Sequence, residues 1–470
     1  MTFDVAVIGA GISGLATAHE LRCRGLDVIV LERQTRAGGN AHSERIGGYL
    51  MEHGPSTVNA LSPAAQGLSQ RLALTDEQCE LGDGVKRRYL VGGGSLQGIP
   101  AHPLGFLASD YLSLKGRLRL MMEFAVPRYR GAGEESIAEF SGRRFGKEFT
   151  EKVIDPLVAG IYAGRADQLS VTAGFPKLTQ LEQTHGSIAV GLIKRRRKGA
   201  KMPSSRLFSW RNGIGTLPAR LAANLGDAVK TGVTVRRIHR SRNGFKVDAG
   251  AAGSVQARAL VIATQPHVAA AMLDGVDDVA AAAAGAIAAP PLAVVYLGYR
   301  RGQVEHPLDG LGFLSPECEG LSMSGAQFCS TMFPGRAPGG RVSLAAYFGG
   351  ARAPGLAELP ARDLVGLARD EFGDLLGASG EPEVARVRHW PRGLPQYRLG
   401  HGQHVADLLD ADSRVPGLFI TGNYFSGPAV AECIARAGAT AARVESIFKD
   451  QMYTGEPNLS GDNDPAIGTG

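Results

Sequence analysis

Three glycines at fixed spacing, Gly9, Gly11 and Gly14, lie in the stretch VAVIGAGISGLATAHE between an apolar β-type run, FDVAVI, and a run of helix formers, LATAHELRCR, that closes at Gly25. The order is strand, tight turn, helix. A G-x-G-x-x-G turn in that setting lets the backbone approach a pyrophosphate. The phosphate charge then rests on free N–H groups such as that of Ser13 and on the positive end of the helix dipole. A second strand-like run, DVIVLE, ends at Glu32, where a carboxylate can accept from both ribose hydroxyls of an adenosine. An ordinary strand-to-helix turn would use the glycines for geometry alone. Strand, helix, second strand and terminal glutamate together point to a dinucleotide.

The continuation distinguishes among dinucleotides. Arg33, Arg36, Gly38 and Gly39 follow Glu32 at once and resemble the R-x-G-G extension of the amine-oxidase class of FAD flavoproteins. EHGPS, with Gly54, Pro55 and Ser56, resembles the segment that this class runs past the isoalloxazine ring. The resemblance implies FAD. GIGTLPARLAANLGDAVKTGVTVRRI reads as a helix leading into a strand at Val233 to Val235, with Val235 implied to lie by the adenine, and ARALVIATQP reads as a strand ending in a turn. PGLFITGNYFSGPAVAECIARAGATAARV reads as strand, glycine turn at Gly422, then a helix from about Val430. That is either a second helix start aimed at FAD, with Gly422, Asn423 and Val430 beside it, or a plain strand–turn–helix. No second nicotinamide fingerprint follows, which points to molecular oxygen as the electron acceptor.

The stretches between these pieces carry a more specific likeness. RRYLVGGGSLQGIP, SLKGRLRLMMEF, the long run from EESIAEF through PLVAGIYAGRADQLS to THGSI, STMFPGRAP and GLPQYRLGH resemble segments of the oxygen-dependent protoporphyrinogen oxidase and coproporphyrinogen III oxidase family, over about residues 3 to 448. The resemblance implies an α/β protein with a discontinuous Rossmann-like FAD-binding domain (1–80, 212–270 and 414–450). It adds an antiparallel-rich α+β substrate domain (81–104 and 271–413) and a helical subdomain that contacts a membrane (105–211). It also implies the site. Arg88 aligns with the family's propionate-binding arginine, and a guanidinium fork suits a carboxylate bidentately. Gly160 presents backbone to the substrate, and Leu314, Gln327 and Tyr347 fall where the family contacts the macrocycle. Arg88 and Gly160 are the implied catalytic-site residues. Two positions depart from the pattern: Gln327 stands where compared members carry leucine, and His42 where G-G-x-x-R ends in arginine.

The implied reaction is the six-electron oxidation of protoporphyrinogen IX to protoporphyrin IX in heme biosynthesis, with oxygen reduced to hydrogen peroxide. Carbon-bound hydrogens on an electron-rich macrocycle call for placement and dryness more than for a strong base, so the expected site is an apolar slot with few ionisable groups. Coproporphyrinogen III oxidation by the same machinery is the alternative. A flavin amine oxidase or desaturase of another metabolite and a tetrapyrrole-binding flavoprotein without turnover remain as further readings.

Composition sets the frame. With 470 residues, 44% hydrophobic and 20% charged, the chain has room for two or three folded domains. A formal charge of +6 and the run KRRRKGAK at Lys194 to Lys201 allow either a solvated basic loop or contact with anionic lipid. Apolar residues recur at helical spacing in LKGRLRLMMEF and FTEKVIDPLVAGIY, which serves either a core or a membrane face. A long uncharged run, Val279 to Gly298, is broken at Pro290 and Pro291, so a helix followed by a strand is expected there and no membrane span. The five cysteines, Cys23, Cys79, Cys318, Cys329 and Cys433, are scattered and form no C-x-x-C, which points to a reducing compartment. His401 and His404 lack a third ligand nearby, so hydrogen bonding and no metal is expected, and the absence of G-x-S-x-G leaves no serine triad to argue. No secretory leader precedes the first strand, and the tail over 451–470 is too polar to order itself. The expected partners are a porphyrinogen, oxygen and a membrane surface, with a homodimer left open and no nucleic acid. The expected place is the cytoplasm, reaching to the inner face of the cell membrane.

Overall fold

The computed structural model describes residues 2–100, 103–197 and 206–453; the end of the basic run and the tail from Thr454 lie outside them. The strand Thr2–Ile8 carries a continuous apolar run buried on both faces, as a central parallel strand must be. It pairs in parallel with Val28–Leu31 on one side and Ser254–Ile262 on the other. The full order is Val229–Lys230, Val28–Leu31, Thr2–Ile8, Ser254–Ile262, Gly244–Asp248, Arg237–Ser241, with Leu418–Ile420 also paired to Ser254–Ile262. Three helices, Ile12–Cys23, Thr216–Leu225 and Val430–Tyr453, pack one face through Leu15, Leu221 and Ala437. The Asp278–Ala286 helix covers the other with Ala280 and Ala284. Chain segments far apart in sequence thus build one doubly wound unit.

The expected strand at Val233 to Val235 lies elsewhere. Val229 and Lys230 make the pairing with Val30 and Leu31, and Gly232, at φ +72°, then bends the chain away. Val233 still donates its N–H to the Glu32 carbonyl at 2.8 Å, which keeps this extended stretch, Val235 included, beside the strand end. The proline pair behaves as expected, separating the Asp278–Ala286 helix from the strand Leu292–Arg300.

A second sheet orders Val384–Trp390, Leu292–Arg300, Arg341–Gly349, Met323–Phe328, Gly310–Leu314, Arg87–Gly92 and Ser95–Ile99. Only the Gly310–Leu314 and Arg87–Gly92 pair is parallel. Strand alternation gives the sheet two distinct faces. Phe313, Phe328, Leu344 and Phe348 point toward the Ala361–Leu376 helix and form a closed core with Leu364 and Phe372. The intervening residues point the other way, toward the helical segment and the first unit.

That helical segment includes Leu114–Met121, Ile137–Phe145, Asp155–Tyr162, Pro176–His185 and Ile188–Arg197. A buried charge cluster holds it. Arg144, fully buried, bonds Glu182 and reaches Glu123 at 3.3 Å. Glu123 in turn accepts the N–H groups of Ile188 and Ala189 at 2.9 and 3.1 Å, so a carboxylate caps the positive end of the last helix. A π-turn over Thr150–Ile154 feeds directly into Asp155–Tyr162, re-aiming that helix at the second sheet. After it the chain returns through Leu207–Trp210, which pairs with Val58–Asn59 and Gln78–Glu80 beside the first unit. Among the described residues no helix is long and apolar enough to cross a membrane.

Candidate active site and cofactor cleft

The three glycines of the first turn have separate physical reasons. A side chain at Gly9, at φ +102°, would put its Cβ 2.8 Å from the Ala263 carbonyl, so the turn itself excludes one. At Gly14 a Cβ would stand 1.9 Å from the Gly9 carbonyl, which lets the helix sit directly on the turn. At Gly11 the Cβ would meet no protein atom within 4 Å, and φ is an ordinary −72°. Among the described residues nothing requires glycine there. The bare backbone opens onto space beside a helix start, which is the fit a pyrophosphate needs. Gly38 donates its N–H to Ala10 at 2.7 Å, and Gly39 lies against Gly11, so the R-x-G-G loop closes over the same space. Arg36 braces that loop by donating to the Gly39 carbonyl at 3.1 Å, while Arg33 is exposed.

Glu32 is held for its task. Its two oxygens accept the N–H groups of Ala10 and Gln34 at 2.8 and 2.7 Å, and each keeps a lone pair for a ribose hydroxyl. Gly54 packs against the Asn40 carbonyl with no room for a side chain, and Pro55 continues the segment to Ser56. On the far side, Thr421 donates to the Ile262 carbonyl at 2.9 Å and starts the loop through Gly422 and Asn423 to Val430. Tyr397 donates its hydroxyl to the Asn423 carbonyl at 2.7 Å, and His401 bonds the Tyr424 carbonyl through Nε2 at 2.9 Å. The two rings stack at 4.3 Å. Burial pushes the His401 imidazole down to about 4, so it stays neutral and its Nε2–H is the donor. The L-P-Q-Y…G-H motif is therefore a clamp on the loop that precedes the last helix. Gln396 extends that clamp to the helical segment by donating to the Tyr162 carbonyl at 2.8 Å.

The second sheet brings the implied substrate contacts together. Leu314, Gly325 and Tyr347 stand in one cross-strand row, and Gln327 stands in the next, between Gly312 and Ala345. Leu314, Gln327 and Tyr347 share the face turned away from the closed core, and all three are half-exposed. Leu90 is the neighbour of Leu314 on the adjoining strand, and Arg88, two residues earlier, is on the same face and exposed. Arg87 faces the other way, 3.5 Å from Asp309. Opposite the sheet, a Cβ on Gly160 would lie 2.7 Å from Leu314 Cδ2. Leu157 and Ile161, on the same side of that helix, are 37% and 38% exposed. The sheet face and the helix thus meet at Leu314 and Gly160, with Arg88 exposed at the edge of that face. Ser56 donates its hydroxyl to Gln327 Oε1 at 3.0 Å, joining the segment through Gly54 and Pro55 to this face.

Sequence reasoning missed the pair that ties the cleft floor. Glu52 accepts from Ser43 Oγ at 2.6 Å and from the Ile214 N–H at 3.0 Å, and Arg336, almost fully buried, lies 3.2 Å away. Burial pushes the Glu52 carboxyl up to about 7 against the pull of the Arg336 guanidinium. No local pattern joins residues 52 and 336. Leu157 and Ile161 were visible only as helical spacing. His42, the departure beside the loop, stacks on His53 at 4.7 Å, and burial with the nearby Arg36 charge holds it below the usual imidazole value.

The description of the family whose signature spans residues 12–444 is flavin containing amine oxidoreductase. The chain belongs to that family. It is an FAD-dependent oxidoreductase. It is 32% identical to the chloroplastic protoporphyrinogen oxidase of Oryza sativa subsp. japonica, over 96% of this chain and 89% of that one. It is 29% identical to the coproporphyrinogen III oxidase of Bacillus subtilis (strain 168), over 93% of this chain and 96% of that one. A solved structure from Exiguobacterium sp. 255-15 superposes with a TM-score of 0.82 at 21% identity, over 96% of this chain and all of that one.

Two predictions follow from the cleft. Gly11→Val leaves thermal stability of the flavin-free protein unchanged while flavin absorbance per protein falls sharply. Gly14→Ala costs about 1–3 kcal/mol of stability by overpacking, read as a lower urea midpoint. Equal stability losses at both positions would contradict the separate roles. For Glu52, the folded value of about 7 lies above the ordinary 4.5, so the native state keeps a proton that the unfolded chain releases. The stability this lends is full below pH 4.5 and is lost as pH rises through 7. His401, depressed from 6.5 to about 4, acts with the opposite sign and loses stability as pH falls through that range. Glu52→Gln therefore removes one slope and leaves the other. The difference in melting temperature between variant and wild type changes between pH 5 and 8, and a constant difference would refute the assignment.

Proposed function

We propose that the chain oxidises a porphyrinogen to the porphyrin in tetrapyrrole biosynthesis, with protoporphyrinogen IX as the first candidate and coproporphyrinogen III as the second. The observation that carries this reading is the sheet face shared by Leu314, Gln327 and Tyr347, met by the Asp155–Tyr162 helix at Gly160, with Arg88 exposed at its edge. A flat apolar macrocycle with carboxylate arms suits such a face, and the near full-length likeness to oxidases of both substrates supports it. Bound FAD supplies a two-electron acceptor that oxygen can regenerate. The chain's own part is placement. The sheet face and the helix exclude water and fix the ring, Arg88 takes a propionate, and the Tyr397–His401 clamp fixes the cofactor loop.

The same reading places the protein in the cytoplasm, against the inner face of the membrane. Leu114, Leu118 and Met122 lie on one side of Leu114–Met121 and its continuation, and with Phe124 they are 67%, 50%, 58% and 66% exposed. Lys115, Arg117 and Arg119 stand among them, a composition suited to a lipid surface.

Anaerobic mixing with either porphyrinogen should bleach the flavin. Under air, peroxide should accumulate at about three per porphyrin, since six electrons leave in pairs. A flavin-loaded protein that bleaches with neither substrate overturns the proposal. Arg88→Ala should remove a charge-assisted bond worth about 1.5–3 kcal/mol, roughly a tenfold to hundredfold loss in kcat/KM, without loss of flavin. Lysine should restore part of it, because a point charge lacks the planar fork. Arg87→Ala should be nearly silent, and equal small effects at Lys86, Arg87 and Arg88 would rule the anchor out.

A further inference from the structure

We propose that Gln327 makes this site select a porphyrinogen bearing four carboxylate arms over one bearing two, so that coproporphyrinogen III is the preferred substrate. The inference rests on the porphyrinogen reading above and deepens it.

The face around Gln327 is largely apolar. Leu314 stands on the next strand, and Tyr347 one row away on the other neighbour. Burial holds the Tyr347 phenol protonated well above its usual range, so it brings no charge. Gln327 is half-exposed on this face, and its amide is not free to turn: the Ser56 hydroxyl donates to Oε1 at 3.0 Å. That bond directs the two Nε2–H donors away from Ser56. Among the described residues no protein acceptor takes them. A donor pair fixed in an apolar wall discriminates by what it leaves unpaired. A hydrocarbon substituent pressed against it strands the amide, and a carboxylate oxygen satisfies it.

The two candidate substrates differ in this respect. Both carry a pair of propionates on one side of the ring. On the other side coproporphyrinogen III has two more propionates, and protoporphyrinogen IX has two vinyl groups. Arg88 and Gln327 lie on the same sheet face, on strands separated by the Gly310–Leu314 strand. Two strand spacings put their backbones about 10 Å apart. That separation lets two arms of one macrocycle be held at once, by a charge at the edge and by an amide further in. A site for two vinyl groups needs no donor at the inner position.

The experiment compares kcat/KM for both porphyrinogens in wild type, Gln327→Leu and Gln327→Glu, with flavin content and melting temperature followed in each. Wild type should favour coproporphyrinogen III. Leucine should lower that activity about tenfold or more and shift the ratio of the two kcat/KM values toward protoporphyrinogen IX. Glutamate, which can still accept from Ser56, should depress coproporphyrinogen III further by repelling the carboxylate. Gln327→Met replaces leucine if that variant is poorly folded. An unchanged substrate ratio in the leucine or methionine variant, or a wild type that prefers protoporphyrinogen IX, overturns the role of Gln327 and leaves the porphyrinogen reading standing. Oxidation of neither substrate by flavin-loaded wild type overturns both.

Discussion

The structure is arranged around a strip of bare backbone. A long polyanionic cofactor must lie against main-chain N–H groups without a side chain intervening, and the open space over Gly11, beside a helix start, fits this demand. Gly14 lets the first helix sit close enough to aim its free amides into that space. Gly38 and Gly39 bring a second loop down over it, and Glu32 closes one end with its oxygens already oriented by Ala10 and Gln34. The remaining architecture holds other segments at fixed distances from this strip. Glu52 and Arg336 tie the second sheet to its floor, and the Tyr397–His401 stack ties the returning C-terminal loop to its far end.

The second sheet contributes through its alternation. One face is sealed by the Ala361–Leu376 helix, with Phe313, Phe328 and Phe348 directed into it, and that packing leaves the residues between them no choice of direction. Leu314, Gln327 and Tyr347 face away from the core because their neighbours are needed in it. A one-residue slip in any of these strands would exchange wall for core. The Asp155–Tyr162 helix is tied to this sheet by the ion pair of Asp155 with Arg352, just beyond the Arg341–Gly349 strand, and the buried Arg144 cluster holds the rest of the helical segment together.

Legibility followed locality. The glycine spacing, Glu32 and the break at Pro290 and Pro291 are short-range features, and each predicted its element. The strand expected at Val233 to Val235 misplaced the pairing because β-branched residues outweighed Gly232 in the reading, whereas the backbone bends at that glycine. The implied substrate contacts were legible only through resemblance, since Leu314, Gln327 and Tyr347 come together through sheet register and Gly160 reaches Leu314 from a helix. Glu52 with Arg336, and Arg144 with Glu123 and Glu182, carried no signal at all. A buried ion pair is written in the sequence as two ordinary charges far apart.

One feature of the first sheet bears on how the chain is made. Its central strand, Thr2–Ile8, has one flank completed by residues 28–31, but its other flank is Ser254–Ile262, which itself pairs with Leu418–Ile420. During synthesis the opening strand and helix must therefore remain half-assembled until more than half of the chain has emerged, and the sheet closes only near the end. Loops of this length are slow to close, and the unpaired edge of Thr2–Ile8 is an invitation to misassociation in the interval. Chaperones that shield strand edges are the natural guard over that interval.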